Sequence, residues 1–349
     1  MATVHSRAAR SDGAILAAVV TSGGAGSARV AEALGFERSY DSAEQLLADD
    51  DIQVVHIVTP NVTHFEFALA ALDAGKHVVC EKPLTTNTED ARTLVAAAAG
   101  AGVSATVPFV YRFHPMVREA RARVRSGETG ALLSIQASYL QDWLLEPSDD
   151  NWRVDKNVGG PSRAFADIGS HLCDLLEFVT GDHIARVQAV TKTVFADRAM
   201  NRTVTTEDLA AVLLETRGGV VGTLLVSQVA PGRKNRLQFE ISGAEQTVEF
   251  NQEDPESLWL GRRQGSQLLR RDLELSADAM RLSVLPPGHP LGYQDAFNAF
   301  IADSYANVRG EPRDGLPTFE DGLRAVIITD AVLESAATDS WVVVEEESA

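Results

Sequence analysis

The sequence predicts an α/β protein in two parts: an incomplete N-terminal Rossmann domain over residues 1–108, then an α+β domain over 109–349 with a large open, mostly antiparallel sheet. Three observations predict this. Short apolar runs alternate with helical stretches through the first third of the chain, the pattern of βαβ units around a parallel sheet. From about Phe109 the rhythm changes to longer strand patterns separated by glycine-bearing turns such as Arg217-Gly218-Gly219 and Ser242-Gly243. A chain of 349 residues is also long for one core and comfortable for two.

In order, Ile15–Val20 reads as a buried strand and Ser27–Leu34 as a helix that Gly35 can stop. Ala43–Ala48 is a short helix that Asp41 or Ser42 can cap. Val54–Val58, His77–Cys80 and Ser104–Val107 read as strands, alternating with helices over His64–Ala74 and Asn87–Ala99. The second part opens with a helix over Met116–Arg125 and a strand over Leu132–Tyr139. After a loop rich in Trp, Asp and Gly comes a helix over Ser170–Thr180, then strands over Arg186–Val194, Ala210–Thr216, Val220–Gln228, Leu237–Ser242 and Thr247–Asn251. Helices over Gln294–Val308 and Phe319–Ala337 precede an extended tail.

Composition excludes several classes. Hydrophobic residues make up 45% and charged residues 23%, a globular balance. Thirty-one basic residues against 49 acidic ones give a formal charge of −18 with no basic stripe, which argues against nucleic-acid binding. The two cysteines, Cys80 and Cys173, supply neither a disulfide framework nor a metal knuckle, and they fit a reducing cytoplasm. The start lacks the apolar core and cleavage site of a secretory signal. The uncharged run from Leu94 to Tyr111 is cut by Gly100 and Gly102, which argues against a membrane span.

In a parallel sheet, ligands bind at the carboxyl ends of the strands. There, Val78-Val79-Cys80 delivers Glu81, Lys82 and Pro83, a charged pair before a fixed backbone; the plainer reading is a solvated pair at a strand end. Thr59-Pro60-Asn61-Val62-Thr63-His64 is a polar turn after the preceding strand, and Asn61 or Thr63 could simply cap a helix. Asp167 and His171 stand four residues apart, so a helix beginning near Asp167 or Ile168 presents both on one face. A helix start disfavours imidazolium while the aspartate favours it, so His171 suits a general base. The alternative is an N-cap aspartate and a satisfied histidine. The seven histidines other than His171 form no convincing metal-ligand set.

Thr59-Pro60-Asn61, Glu81-Lys82-Pro83, the run Asp167-Ile168-Gly169-Ser170-His171 and the later Pro317-Thr318-Phe319-Glu320-Asp321-Gly322, in this order, resemble the Gfo/Idh/MocA family, named for glucose–fructose oxidoreductase and inositol dehydrogenase. The resemblance implies an NAD(P)-dependent dehydrogenase acting on a secondary hydroxyl of a cyclic sugar, anhydrosugar, glycoside or polyol. It implies catalytic roles for Lys82, Asp167 and His171, with Lys82 near the nicotinamide and His171 taking the hydroxyl proton. It implies a cofactor-binding set of Ser22, Thr59, Pro60, Asn61, His64, Glu81, Lys82, Trp152 and Arg153, and a substrate-binding set of Lys82, Tyr139, Asp167 and His171. A homo-oligomer, dimer or tetramer, through the C-terminal sheet is implied too. Tyr139-Leu140-Gln141-Asp142-Trp143, Asn151-Trp152-Arg153 and Gly288–Tyr293 are similar to the levoglucosan dehydrogenase-like branch. Two related activities stay open: a sugar oxidoreductase with a tightly held cofactor, and redox-assisted glycoside cleavage.

One feature departs from the family. The G-x-G-x-x-G/A turn that receives the pyrophosphate is expected after a first strand. Here Met1–Ser6 reads as the tail of that turn entering its helix, with Ala2 in place of the third glycine. Gly23-Gly24-Ala25-Gly26 follows the next strand and is no substitute. The expectation is therefore that the first strand and two glycines are missing. Either the start was assigned too late by about a dozen residues, or the chain is truncated, which would suit a non-catalytic binding or scaffold subunit. Thr21-Ser22-Gly23-Gly24 offers neither an acid for a ribose diol nor an arginine clamp for a 2′-phosphate, so the branch resemblance alone favours NAD, with NADP open.

Overall fold

The computed structural model describes residues 1–21 and 24–346. The chain forms two compact units, one of residues 1–110 with 293–323 and one of residues 111–292 with 324 onward. The chain first leaves the opening unit two residues beyond the expected boundary at 108/109. It later returns, and the helix Tyr293–Val308 packs on the helix Ala2–Ser11. A single cut at 108/109 has no place for that return, because a contact between chain ends leaves no local periodicity.

The described strands of the first unit pair as two parallel sheets. One joins β1 (Ala18–Val19) and β2 (Arg38–Ser39); the other has the order β3 (Val54–Ile57), β4 (His77–Cys80), β5 (Ala105–Thr106). Val78, Val79 and Cys80 are buried, as a strand covered on both faces requires. The helices between them are capped by side chains: Ser42 Oγ, an expected cap, accepts from the Gln45 amide, and Asn87 Oδ1 accepts from the Asp90 amide. The helix Ser27–Leu34 ends at Gly35 in the left-handed conformation, as its sequence predicts.

The second unit is built on one nine-stranded sheet. Its strands are β6 (Leu132–Leu140), β7 (Ile184–Lys192), β8 (Leu209–Thr216), β9 (Val221–Ser227), β10 (Arg236–Gly243), β11 (Thr247–Asn251), β12 (Ser257–Arg262), β13 (Gly265–Arg270) and β14 (Val342–Val343). They run in the order β13-β12-β11-β10-β6-β9-β8-β7-β14, and only the β6–β9 pair is parallel. Alternation along β6 to β9 buries Ile135, Ala137, Val187, Ala189, Val212, Leu214, Leu224 and Val226 on one face. The helices Pro115–Arg125 and Ser170–Thr180 pack together on this side, supplying Met116, Val117, Leu172, Leu175 and Val179. Sequence reading missed the hairpin β12–β13 and the helix Ala277–Leu282. β13 is an edge strand with scarcely a buried side chain, so no apolar alternation marks it.

Candidate active site

In the first unit, the expected residues sit on two loops at the carboxyl ends of β3 and β4. After β3, Thr59 and Pro60 lead into a one-turn helix, Asn61–Thr63, and then the helix His64–Asp73. Thr63 Oγ1 donates to Pro60 O at 2.7 Å and to Thr59 Oγ1 at 2.8 Å, closing the turn. His64 is 1% exposed, and its two ring nitrogens reach Pro83 O at 2.7 Å and Thr59 O at 2.9 Å. It therefore ties the Thr59-Pro60-Asn61 loop to the Glu81-Lys82-Pro83 loop. Burial pushes the His64 imidazole pKa down even though both carbonyls favour its charged form.

After β4, the Glu81 amide continues the ladder to Ile57 O at 2.9 Å. The Glu81 carboxylate is buried; one oxygen accepts the Lys82 amide at 3.2 Å and the other meets His5 Nε2 at 3.0 Å. Lys82 is half-buried, and the Lys82–Pro83 peptide is cis. Asn61 is buried and Thr59 and Pro60 half-buried, so the expected first-unit set shares one edge of one sheet. Ser22 lies outside the described residues. Two loops at adjacent carboxyl ends, locked together by a buried histidine, fit the wall of a dinucleotide site.

In the second unit, Asp167 lies in a π turn, Phe165–Gly169, that runs directly into the helix Ser170–Thr180 carrying His171. This corrects the expected helix start at Asp167 or Ile168. The helical run opens upstream, where Glu207 Oε1 accepts from the amides of Arg163 and Phe165 at 3.0 and 2.8 Å, and Ser162 Oγ accepts from the Ala166 amide at 3.1 Å. The positive end of the helix thus rests on a carboxylate a turn or more before His171, and its field falls off within that turn. The helix-start argument for the His171 pKa therefore lapses. Gly169 leaves room for a neighbouring ring in this turn: a Cβ there would meet the Phe165 ring at 2.6 Å.

Asp167 Oδ2 accepts from Gln228 Nε2 at 2.8 Å, and Arg153 Nε stands 3.6 Å from Oδ1. Arg153 also lies 4.3 Å over the Trp152 ring, and Asn151 Oδ1 caps the turn by accepting the Arg153 amide. The structure thus brings Arg153, expected on the cofactor side, to the candidate acid–base pair. His171 is buried, with the Tyr111 ring edge-on at 5.1 Å and the Tyr139 ring at 6.5 Å. Tyr139 is 2% exposed; its hydroxyl meets that of Tyr111 and donates to Asn235 Oδ1 at 2.8 Å. Tyr139 thus stands beside the His171 ring with its hydroxyl engaged by Tyr111 and Asn235. Burial raises the Tyr111 pKa above its usual value, so its hydroxyl keeps its proton. The network continues from Asn235 to Gln141 and from Gln141 to the Trp143 indole, each at 2.8 Å.

Sequence reasoning missed Gln228, Asn235 and Tyr111. One signal was present: Gln228 follows Leu224 and Val226 at inward-facing spacing, so a polar amide at the strand's carboxyl end needed a buried partner. Behind this site, Asp208 is fully buried between Arg163 and Arg198, with Arg198 Nη2 at 2.6 Å. Arg198 also donates to the carbonyls of Leu144, Glu146 and Asp149, pinning the loop that precedes Trp152. Among the described residues, no three His, Cys, Asp or Glu side chains form a metal-holding group, and no helix is long and apolar enough to cross a membrane.

Comparison with known proteins agrees with this architecture. Residues 1–109 match the oxidoreductase family's NAD-binding Rossmann fold, and residues 117–249 match the Gfo/Idh/MocA C-terminal domain. The levoglucosan dehydrogenase of Pseudarthrobacter phenanthrenivorans is 31% identical over 352 residues, covering 92% of this chain and 87% of the relative. The solved structure of levoglucosan dehydrogenase in complex with NADH and levoglucosan superposes with a TM-score of 0.93 at 30% identity, covering 99% of this chain and 98% of that one. An oxidoreductase domain protein from Kribbella flavida gives 0.91 at 33%, covering 99% and 96%. The comparisons give no support to the expected truncation: the Rossmann-fold match begins at residue 1, and the helix Ala2–Ser11 is the first element of the structure. A Rossmann unit with its Thr59 and Glu81 loops at one sheet edge, a second unit on a large mixed sheet, and these matches over nearly the whole length place the chain in the Gfo/Idh/MocA family of NAD(P)-dependent oxidoreductases.

Proposed function

We propose that this oxidoreductase is an NAD-dependent dehydrogenase that oxidises a secondary hydroxyl of a cyclic sugar, anhydrosugar, glycoside or polyol. The observation that carries the reading is the support given to Asp167 and His171: a carboxylate held by Gln228 and Arg153, four residues before an imidazole flanked by Tyr111 and Tyr139. Such a pair can take a hydroxyl proton at the imidazole while the carboxylate orients the substrate. Lys82, as an ammonium, stabilises the alkoxide that develops as the proton leaves. When bound, the nicotinamide supplies the acceptor for the hydride lost from the carbinol carbon. Thr59, Pro60, Asn61, Glu81 and Lys82 would line its site, with His64 joining their loops, while Arg153, expected there with Trp152, stands beside Asp167. Likeness to a levoglucosan dehydrogenase makes pyranose rings, anhydrosugars among them, the first substrates to try.

The test is NADH formation on a panel of levoglucosan, D-glucose, a methyl glucoside and myo-inositol. Lys82→Ala and His171→Asn should each lower turnover by about 10²–10⁴-fold while circular dichroism stays that of the parent. Near-parental turnover in either variant would remove that residue from the mechanism.

A homo-oligomer through the sheet of the second unit belongs to the same proposal. Its outward face exposes Val190, Leu213, Val221, Leu225 and Trp259, and the β8–β9 register sets Leu213 and Leu225 on adjacent rows. Glutamate at both 213 and 225 should yield a particle near the 37.5 kDa of one chain in light scattering; an unchanged larger mass would place the interface elsewhere.

A further inference from the structure

The first unit contains a line of hydrogen-bonding side chains that the proposed chemistry does not use. The Tyr305 hydroxyl, on the helix Tyr293–Val308, meets His56 Nε2 at 2.9 Å. His56 Nδ1 meets His5 Nδ1 at 2.9 Å, and His5 Nε2 meets Glu81 Oε1 at 3.0 Å. Glu81 Oε2 accepts the Lys82 amide. Four separate stretches of chain contribute, and His5 is buried with its ring edge-on to His56 and to Phe297.

Two imidazoles joined nitrogen to nitrogen cannot both donate, so one proton assignment dictates the rest. A Glu81 carboxylate only accepts, so His5 carries its proton on Nε2. A neutral His5 then accepts at Nδ1, so His56 must carry its proton on Nδ1 and accept at Nε2 from the Tyr305 hydroxyl. With one proton per ring, each of the four ring nitrogens meets its complement. We propose that Tyr305, His56 and His5 form a one-way hydrogen-bond chain that fixes the Glu81 carboxylate and, through its second oxygen, the backbone of Lys82, making all three positioning residues for that lysine. Removal of His56 from water, with His5 beside it, holds the His56 pKa near about 3, in accord with a neutral ring. The Glu81 carboxylate only accepts, so with both rings neutral the chain runs one way, from the Tyr305 hydroxyl to Glu81, a direction that packing alone would not set.

The consequence for Lys82 rests on the catalytic reading above, so the test has a part independent of turnover. In the full-length protein labelled with ¹⁵N-histidine, ring ¹⁵N–¹H correlation at neutral pH should show His5 as the Nε2–H tautomer and His56 as the Nδ1–H tautomer, both uncharged. An imidazolium at His5, or the opposite tautomer at either ring, overturns the chain. Tyr305→Phe should release His56 into a mixture of tautomers and shift the His5 Nε2 signal, and it should lower sugar-dependent NADH formation about fivefold to tenfold, the rate equivalent of one hydrogen bond. Its KM for NAD should stay within about twofold, because no cofactor contact is removed. His56→Asn, which can still donate toward His5, should retain more turnover than His56→Ala. Unchanged tautomers and turnover in Tyr305→Phe also overturn the chain. If no sugar is oxidised by the parent, the catalytic reading fails while the tautomers still decide the chain.

Discussion

The two units hold their candidate residues by different means. In the first, on strands of two to four residues, the two loops are anchored mainly to main chain, with His64 at the Pro83 and Thr59 carbonyls, Thr63 on the Pro60 carbonyl and Glu81 on the Lys82 amide, while the His5, His56 and Tyr305 side chains reach Glu81 from its other oxygen. In the second, on strands of up to nine residues, side chains hold side chains: Gln228 and Arg153 on Asp167, Arg163 and Arg198 on Asp208, Asn235 between two tyrosines. Main-chain anchors fix loop shape and are insensitive to charge elsewhere. Side-chain pairs in a dry interior depend on both partners keeping their charge, because an ion left alone is far more costly than the pair is favourable. The second unit should therefore respond more strongly to charge removal and to acid than the first.

The largest effect expected is that of Asp208→Asn, which leaves the fully buried Arg163 and Arg198 without their carboxylate. It should lower unfolding stability by about 3–5 kcal/mol, measured by urea titration. Burial works to raise the Asp208 pKa, but Arg163 and the amides of Val194 and Phe195 hold it below the usual carboxylate range. Because the folded value is depressed, its contribution is whole above the unfolded value of about 4 and is lost as pH falls through the folded one. The parent should lose stability on acidification across that window, and Asp208→Asn should do so less steeply. A loss below about 1 kcal/mol would show this pair to behave like a surface bridge and break the contrast.

His64→Ala probes the first unit. The neutral ring donates to only one of the two main-chain carbonyls it faces, and leaving that carbonyl without its donor should cost about 1–3 kcal/mol of stability. Since both loops belong to the proposed cofactor wall, KM for NAD should rise more than turnover falls. Equal losses in both would mean that His64 supports the chemistry rather than the loops, and the two regions would differ less than described.

The same contrast explains what could be read from the sequence. A site anchored on its own main chain is written as contiguous words: Thr59-Pro60-Asn61 and Glu81-Lys82-Pro83 name their loops, and His64 follows at once. A site held by side chains is scattered, so Asp167 and His171 were legible as neighbours on one helix while Gln228 and Asn235, from other parts of the sheet, were not. The helix start was misjudged for a similar reason, since the carboxylate that receives it is Glu207, some forty residues away. Fold class and most strands of the large sheet were legible because alternation is local. The return of residues 293–323 to the first unit was not, because it is set by packing between chain ends.

Tyr139→Phe is the smallest and sharpest test. It removes one hydroxyl and leaves the ring beside His171, so packing is preserved while the links to Tyr111 and Asn235 are lost. If Tyr139 is a support, stability should fall by about 0.5–1.5 kcal/mol and KM for the sugar should change little. If its hydroxyl instead contacts the substrate, as the family resemblance implies, KM should rise with stability nearly unchanged. Stability and KM thus move in opposite patterns under the two roles, and one variant decides whether this side-chain network ends at the histidine or extends to the sugar.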